Sequence, residues 1–110
     1  MRVPLREIAH ARAGDKGDVS NVSVIAYEPR HYEVLRREVT PERVKALFRG
    51  IVEGEVVRYE LPRIHALNFV MQRALAGGVT RSMRMDIHGK ALSSLMLTLE
   101  LDLQDGEPNR

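Results

Sequence analysis

Val19-Ser20-Asn21-Val22-Ser23-Val24-Ile25-Ala26-Tyr27 is the stretch that sets the fold class. Val22, Val24 and Ala26 alternate with Ser23, Ile25 and Tyr27, and its four β-branched residues favour an extended chain. Both faces carry apolar side chains, so the spacing predicts a central strand. Pro29 ends it.

Upstream, Leu5–Arg12 reads as a short strand running into a loop at Gly14–Asp18. Downstream, His31–Glu38 predicts a short helix with Tyr32 and Leu35 three apart. A second helix is signalled by Thr40 as N-cap and Pro41 at the first helical position, where a missing N–H is harmless. Val44, Leu47, Phe48 and Ile51 follow on one face, and Gly54 marks the expected far end. Glu55–Leu61 alternates as a half-buried strand closed by Pro62.

Ile64–Ala76 returns to helical spacing through Leu67, Val70, Met71, Ala74 and Leu75, with Gly77 placed to stop the helix. Thr80–Ile87 predicts a strand and His88-Gly89 a hairpin turn. Leu95, Leu97, Leu99, Leu101 and Leu103 alternate as a last strand, although Ala91–Met96 also fits a helical turn. The expected result is an α+β chain, mostly antiparallel sheet with helices packed on one face. Residues 1–103 read as a single domain and 104–110 as a polar, frayed tail.

The 110 residues fit one core of ordinary size, about 100–150 residues. Hydrophobic residues at 44% and charged residues at 29% are the balance of a folded, soluble chain. The absence of cysteine rules out disulfides, thiolate metal sites and thiol catalysis together. Uncharged runs such as Val19–Tyr27 and Ala91–Leu99 reach nine residues, far short of a membrane span. Met1–Leu5 leads into polar sequence, so the expected location is the cytoplasm, away from membranes.

The net charge is only +2, yet Leu61–Met85 holds Arg63, Arg73, Arg81 and Arg84 and no acid. A local basic segment suits a small anion better than a long nucleic acid. With three Tyr, two Phe and no Trp, the chain is also poor in the aromatic platforms on which bases stack. No nucleic-acid partner is expected.

Two glycine segments are the candidate sites. In Arg12-Ala13-Gly14-Asp15-Lys16-Gly17-Asp18 the glycines permit a sharp turn that presents N–H groups, and Arg12 and Lys16 supply positive charge. Asp15 and Asp18 would repel a phosphate; they instead pair with Arg12 and Lys16, receive ligand hydroxyls, or hold a cation. An ordinary polar turn has the same composition. In Gly77-Gly78-Val79-Thr80-Arg81-Ser82 the Gly78 N–H, the Thr80 and Ser82 hydroxyls and Arg81 suit a carboxylate or phosphate, or simply a helix stop before a strand.

Among His10, His31, His65 and His88 no pair has zinc-helix spacing, and no metal is expected. His10, beside the charged loop, is the weak candidate for a general base. Asn68 is either part of a buried polar network or a ligand contact.

Ala11-Arg12-Ala13-Gly14-Asp15-Lys16-Gly17-Asp18 with Asn21 and Val24 resembles the ARSGDKGD…N signature of the AtuA-like C-terminal domain of acyclic terpene utilisation proteins. The similarity continues through Tyr59-Glu60-Leu61-Pro62, Ala66-Leu67-Asn68-Phe69, Gly77–Ser82, Asp86 and Gly89-Lys90. Ala13 stands where the family usually has Ser, which removes a hydroxyl. The resemblance implies a ferredoxin-like sandwich. It also implies a role in catabolism of branched or terpenoid acids as CoA thioesters, either beside a separate large AtuA-like subunit or as an independent small protein.

Three roles are then expected in turn. The first is an accessory, ligand-binding subunit, itself a homo-oligomer and with no bound cofactor, holding the anionic group of a CoA thioester. Its contacts would be Arg12, Gly14, Asp15, Lys16, Gly17, Asp18, Asn21, Asn68, Gly77, Gly78, Thr80, Arg81 and Ser82. The second is a small oligomeric enzyme acting on a CoA thioester, with His10 or an Asp of the Gly14–Asp18 loop as base. The third is a purely structural oligomerisation domain.

Overall fold

Thr40 opens a helix where the sequence places it: its side-chain oxygen accepts the Arg43 backbone N–H at 3.2 Å, and Pro41 takes the first turn. The computed structural model describes residues 1–16, 19–49, 52, 54–72 and 90–104. The expected strand Thr80–Ile87, the turn at His88-Gly89, the Gly77–Ser82 segment, Ile51 and residues 105–110 lie outside them.

The described elements run β1 (Arg2–Pro4), β2 (Ala9–Lys16), β3 (Val19–Ala26), α1 (Tyr32–Glu38), α2 (Pro41–Leu47), β4 (Val56–Leu61), β5 (Ala66–Gln72), α3 (Lys90–Met96) and β6 (Glu100–Asp102). Four strands form an antiparallel sheet in the order β2-β3-β5-β4, and β1 pairs antiparallel with β6 in a separate ribbon. β3 lies between β2 and β5, which is the central position its two apolar faces predict.

The expected helix Ile64–Ala76 is corrected: its core is strand β5. Leu67, Phe69 and Met71 are buried on one face, while Asn68 and Val70 point to the other. Apolar residues on both sides of a buried strand satisfy helical and alternating spacing alike, and hydrogen bonding to β3 and β4 decides the outcome. His65, with φ 55°, turns the chain into this strand, and its carbonyl accepts the Ala26 N–H at 2.9 Å.

Three boundaries also move. Leu5–Glu7 is a single 3₁₀ turn, anchored by the Leu5 N–H on the Leu99 carbonyl at 2.7 Å, so strand begins at Ala9. β2 then runs through Gly14, Asp15 and Lys16, the first half of the expected loop. Helix α2 stops at Leu47, short of Gly54, with Phe48 as its cap. In the leucine-rich stretch the helical alternative holds for Ala91–Met96 and the alternation only near its end: Leu92 and Met96 are buried one turn apart, and Leu99, Leu101 and Leu103 are buried beside exposed Glu100 and Asp102.

The helices cover one face of the sheet. Val34, Leu35, Val44, Phe48, Leu92 and Met96 join Val22, Val24, Leu67, Phe69 and Met71 in one apolar cluster. Three arginines serve this architecture. Arg58 on β4 donates to the Arg36 and Val39 carbonyls at 2.8 and 3.0 Å, satisfying groups at the end of α1. Arg37 and Arg43 donate to the Asp102 and Glu100 carbonyls, and Glu38 accepts the Asp102 N–H, so β6 is tied to the helices.

Candidate functional site on the open sheet face

With the helices on one side, the alternation of the strands sends every second side chain to the opposite side, where no described element packs. The register arranges these outward positions in rungs across the sheet. One rung is Arg12, Ser23, Asn68 and Tyr59; the next, toward the hairpin, is Gly14, Asn21, Val70 and Val57. On the other side lies His10, Ile25, Ala66 and Leu61. Neighbouring rung positions are separated by the strand spacing of about 4.8 Å.

Four of the sequence-predicted residues, Arg12, Gly14, Asn21 and Asn68, therefore share adjacent rungs of one face. Arg12 and Asn21 are exposed, and Asn68 is half-buried between its neighbours. Ser23 Oγ donates to Asn68 Oδ1 at 2.9 Å, which leaves the Asn68 amide N–H groups for another acceptor. Gly14 has a packing reason: a Cβ there would lie 3.0 Å from Asn21 Oδ1, so the missing side chain gives the Asn21 carboxamide its space.

None of these outward positions is acidic, so Arg12 meets no carboxylate on this face among the described side chains. Cationic and amide donors without an opposing carboxylate favour an anion. Asp15 and Lys16 lie at the end of β2, opposite Ser20 and Val19. Gly17, Asp18, Gly77, Gly78, Thr80, Arg81 and Ser82 fall outside the described residues.

His10 stacks on Tyr27, ring centroids 5.3 Å apart at 28°, and its Nδ1 is buried with no described hydrogen-bond partner. A cavity of about 270 Å³ near Tyr27, lined also by Val3, Glu7, Ile8, Glu28 and His31, contains none of the predicted ligand residues. Among the described residues no group of three His, Asp or Glu is placed to hold a metal ion. No described helix is long and apolar enough to cross a membrane.

Ser23 and Tyr59 complete the Arg12–Asn68 rung, and sequence reasoning did not single them out as site residues. The signal was the period-two spacing of Leu67, Phe69 and Met71, which, taken as a strand, sets Asn68 between them. No curated protein and no solved structure is significantly similar to the chain. A family model described as the AtuA ferredoxin-like domain matches residues 3–102. The chain belongs to the AtuA ferredoxin-like domain family.

Proposed function

We propose that this domain is a ligand-binding accessory subunit that works in the cytoplasm beside a large AtuA-like chain, in the catabolism of branched or terpenoid acyl-CoA thioesters. It holds an anionic group of the ligand at the hairpin end of the open sheet face. The observation that carries this reading is the meeting of Arg12, Gly14, Asn21 and Asn68 on adjacent rungs. Arg12 supplies charge, and the Asn68 and Asn21 amides supply directed N–H donors. In this reading Gly78, Thr80, Arg81 and Ser82 complete the site from the second glycine segment. The acyl-CoA class comes from what the family resemblance implies.

Calorimetric titration with coenzyme A tests it. Saturable binding is expected, weakened about 10-fold or more in Arg12→Glu and in Arg81→Glu. The melting temperature of Arg12→Glu should stay close to the parent's, because its side chain is exposed. Equal affinity in both variants, or no saturable binding by the parent chain, overturns the reading.

A further inference from the structure

The same face carries a feature that anion binding does not use. Toward β4 it turns apolar: Val57 is 39% exposed, Tyr59 53%, Leu61 38%, and Ile64 just beyond the strand 58%. Tyr27 adds another large exposed ring at 62%, next to the rung of Ile25 and Ala66. Grouped apolar side chains of this size on a flat sheet mark a surface that packs against something.

We propose that the open face is a dimer interface, in which two copies of this chain stack sheet on sheet about a two-fold axis parallel to the strands. Such sheets lie about 10 Å apart, with their strands crossing at about 30°. The argument rests on how each rung reads when laid back on itself. An axis along the strands places β2 of one copy over β4 of the other, and β3 over β5.

Arg12 then faces Tyr59 of the second copy, a cation over an aromatic ring. Ser23 faces Asn68, whose amide N–H groups are not used by the Ser23–Asn68 bond within the chain. Val57 lies over Gly14, so a large side chain meets a position without one. The two-fold repeats every one of these pairs. The other two-fold in the plane, across the strands, lays β2 over β2 and brings the two Arg12 side chains toward each other. Charge therefore selects the first arrangement.

The area is adequate. Four strands at about 4.8 Å and seven residues at about 3.3 Å give a flat footprint of roughly 19 by 23 Å. Side-chain relief, with Tyr27 and Ile64 at the margin, brings this to the lower end of stable interfaces, about 600 Å² per partner. The dimer requires no ligand, but it engages Arg12 and Asn68 itself, so coenzyme A bound at that rung competes with dimerisation.

Sedimentation velocity of the purified chain, without ligand, tests it. The expected species has twice the 12.5 kDa chain mass. Tyr59→Arg, which sets a second guanidinium opposite Arg12, is expected to raise the dimer dissociation constant about 10-fold or more with an unchanged far-UV spectrum. Because the chain has no cysteine, Arg12→Cys and Tyr59→Cys chains with different tags can be mixed and joined by a bis-maleimide reagent that spans the sheet separation of about 10 Å. Links joining position 12 to position 59 are expected, in excess over those joining 12 to 12. A chain monomeric at all concentrations, a dimer indifferent to Tyr59→Arg, or predominant links between positions 12 overturns the proposal. So does a monomer whose face is covered only when a large companion chain is added. Coenzyme A binding is scored separately by calorimetry, so either reading can fail alone.

Discussion

Ser23 on β3 donates its hydroxyl proton to Asn68 Oδ1 on β5 at 2.9 Å, in the rung between Arg12 and Tyr59. The bond fixes which end of the Asn68 carboxamide faces inward along the rung, and so turns its N–H groups into oriented donors. Ser23→Ala and Asn68→Ala in a double-mutant cycle should show a coupling of about 0.5–1.5 kcal/mol in urea unfolding. Additive effects would mean that the two side chains do not act together. Asn68→Asp keeps the shape but replaces donors by a negative charge, and should weaken coenzyme A binding about 10-fold or more.

Two glycines separate hard from soft constraints. A Cβ on Gly54 would sit 2.7 Å from the Gln72 carbonyl oxygen and 2.8 Å from Gln72 Cβ, while the Gly54 N–H donates to that same oxygen at 3.0 Å. Backbone cannot move aside cheaply, so Gly54→Ala should destabilise by about 1–3 kcal/mol. Gly14→Ala meets the end of the Asn21 side chain instead and should cost less in stability. Urea midpoints that rank the two variants in the opposite order would contradict this account.

Much of the architecture was legible because its signals are local. Thr40-Pro41 fixed a helix start through one side-chain oxygen and one missing N–H, and Val19–Ala26 declared a central strand by carrying apolar groups on both faces. β5 was not legible, because Leu67, Val70 and Met71 fit a helix as well as Leu67, Phe69 and Met71 fit a strand. Only the neighbours supplied by distant parts of the chain separate the two. The same limit hid the site. Arg12, Gly14 and Asn21 stood out beside one hairpin, but their relation to Asn68 exists only once β3 and β5 are paired.

Tyr32 gives the fold an alkaline sensitivity. Burial first, and the Glu60 carboxylate next, hold its hydroxyl above the ordinary pKa of 10.0. Between that value and the raised one the native chain retains a proton that the unfolded chain releases. Stability is therefore intact below pH 10 and falls as pH rises through the window. The Tyr32 hydroxyl is also buried without a described partner. Tyr32→Phe should therefore leave stability near neutrality unchanged or higher and flatten the alkaline decline, measured by urea melts from about pH 8 to 11. Identical slopes in the two proteins would contradict the assignment.

The accessory role makes a prediction about stoichiometry. Co-expressed with a large AtuA-like chain, the small chain should appear in the native mass spectrum as a complex of fixed ratio. Repeated recovery of the two chains as separate species would remove the large subunit from the account.

The central claim is that the ligand is held on the sheet face opposite the described helices, around Arg12 and Asn68. Titration of the isotope-labelled chain with coenzyme A, followed by amide chemical shifts, tests it most directly. Saturable shifts should concentrate at Arg12, Gly14, Asn21, Ser23 and Asn68, and leave Val34, Leu35 and Leu92 unmoved. Shifts that gather on the helical side, or an unchanged spectrum at saturating ligand, would contradict it.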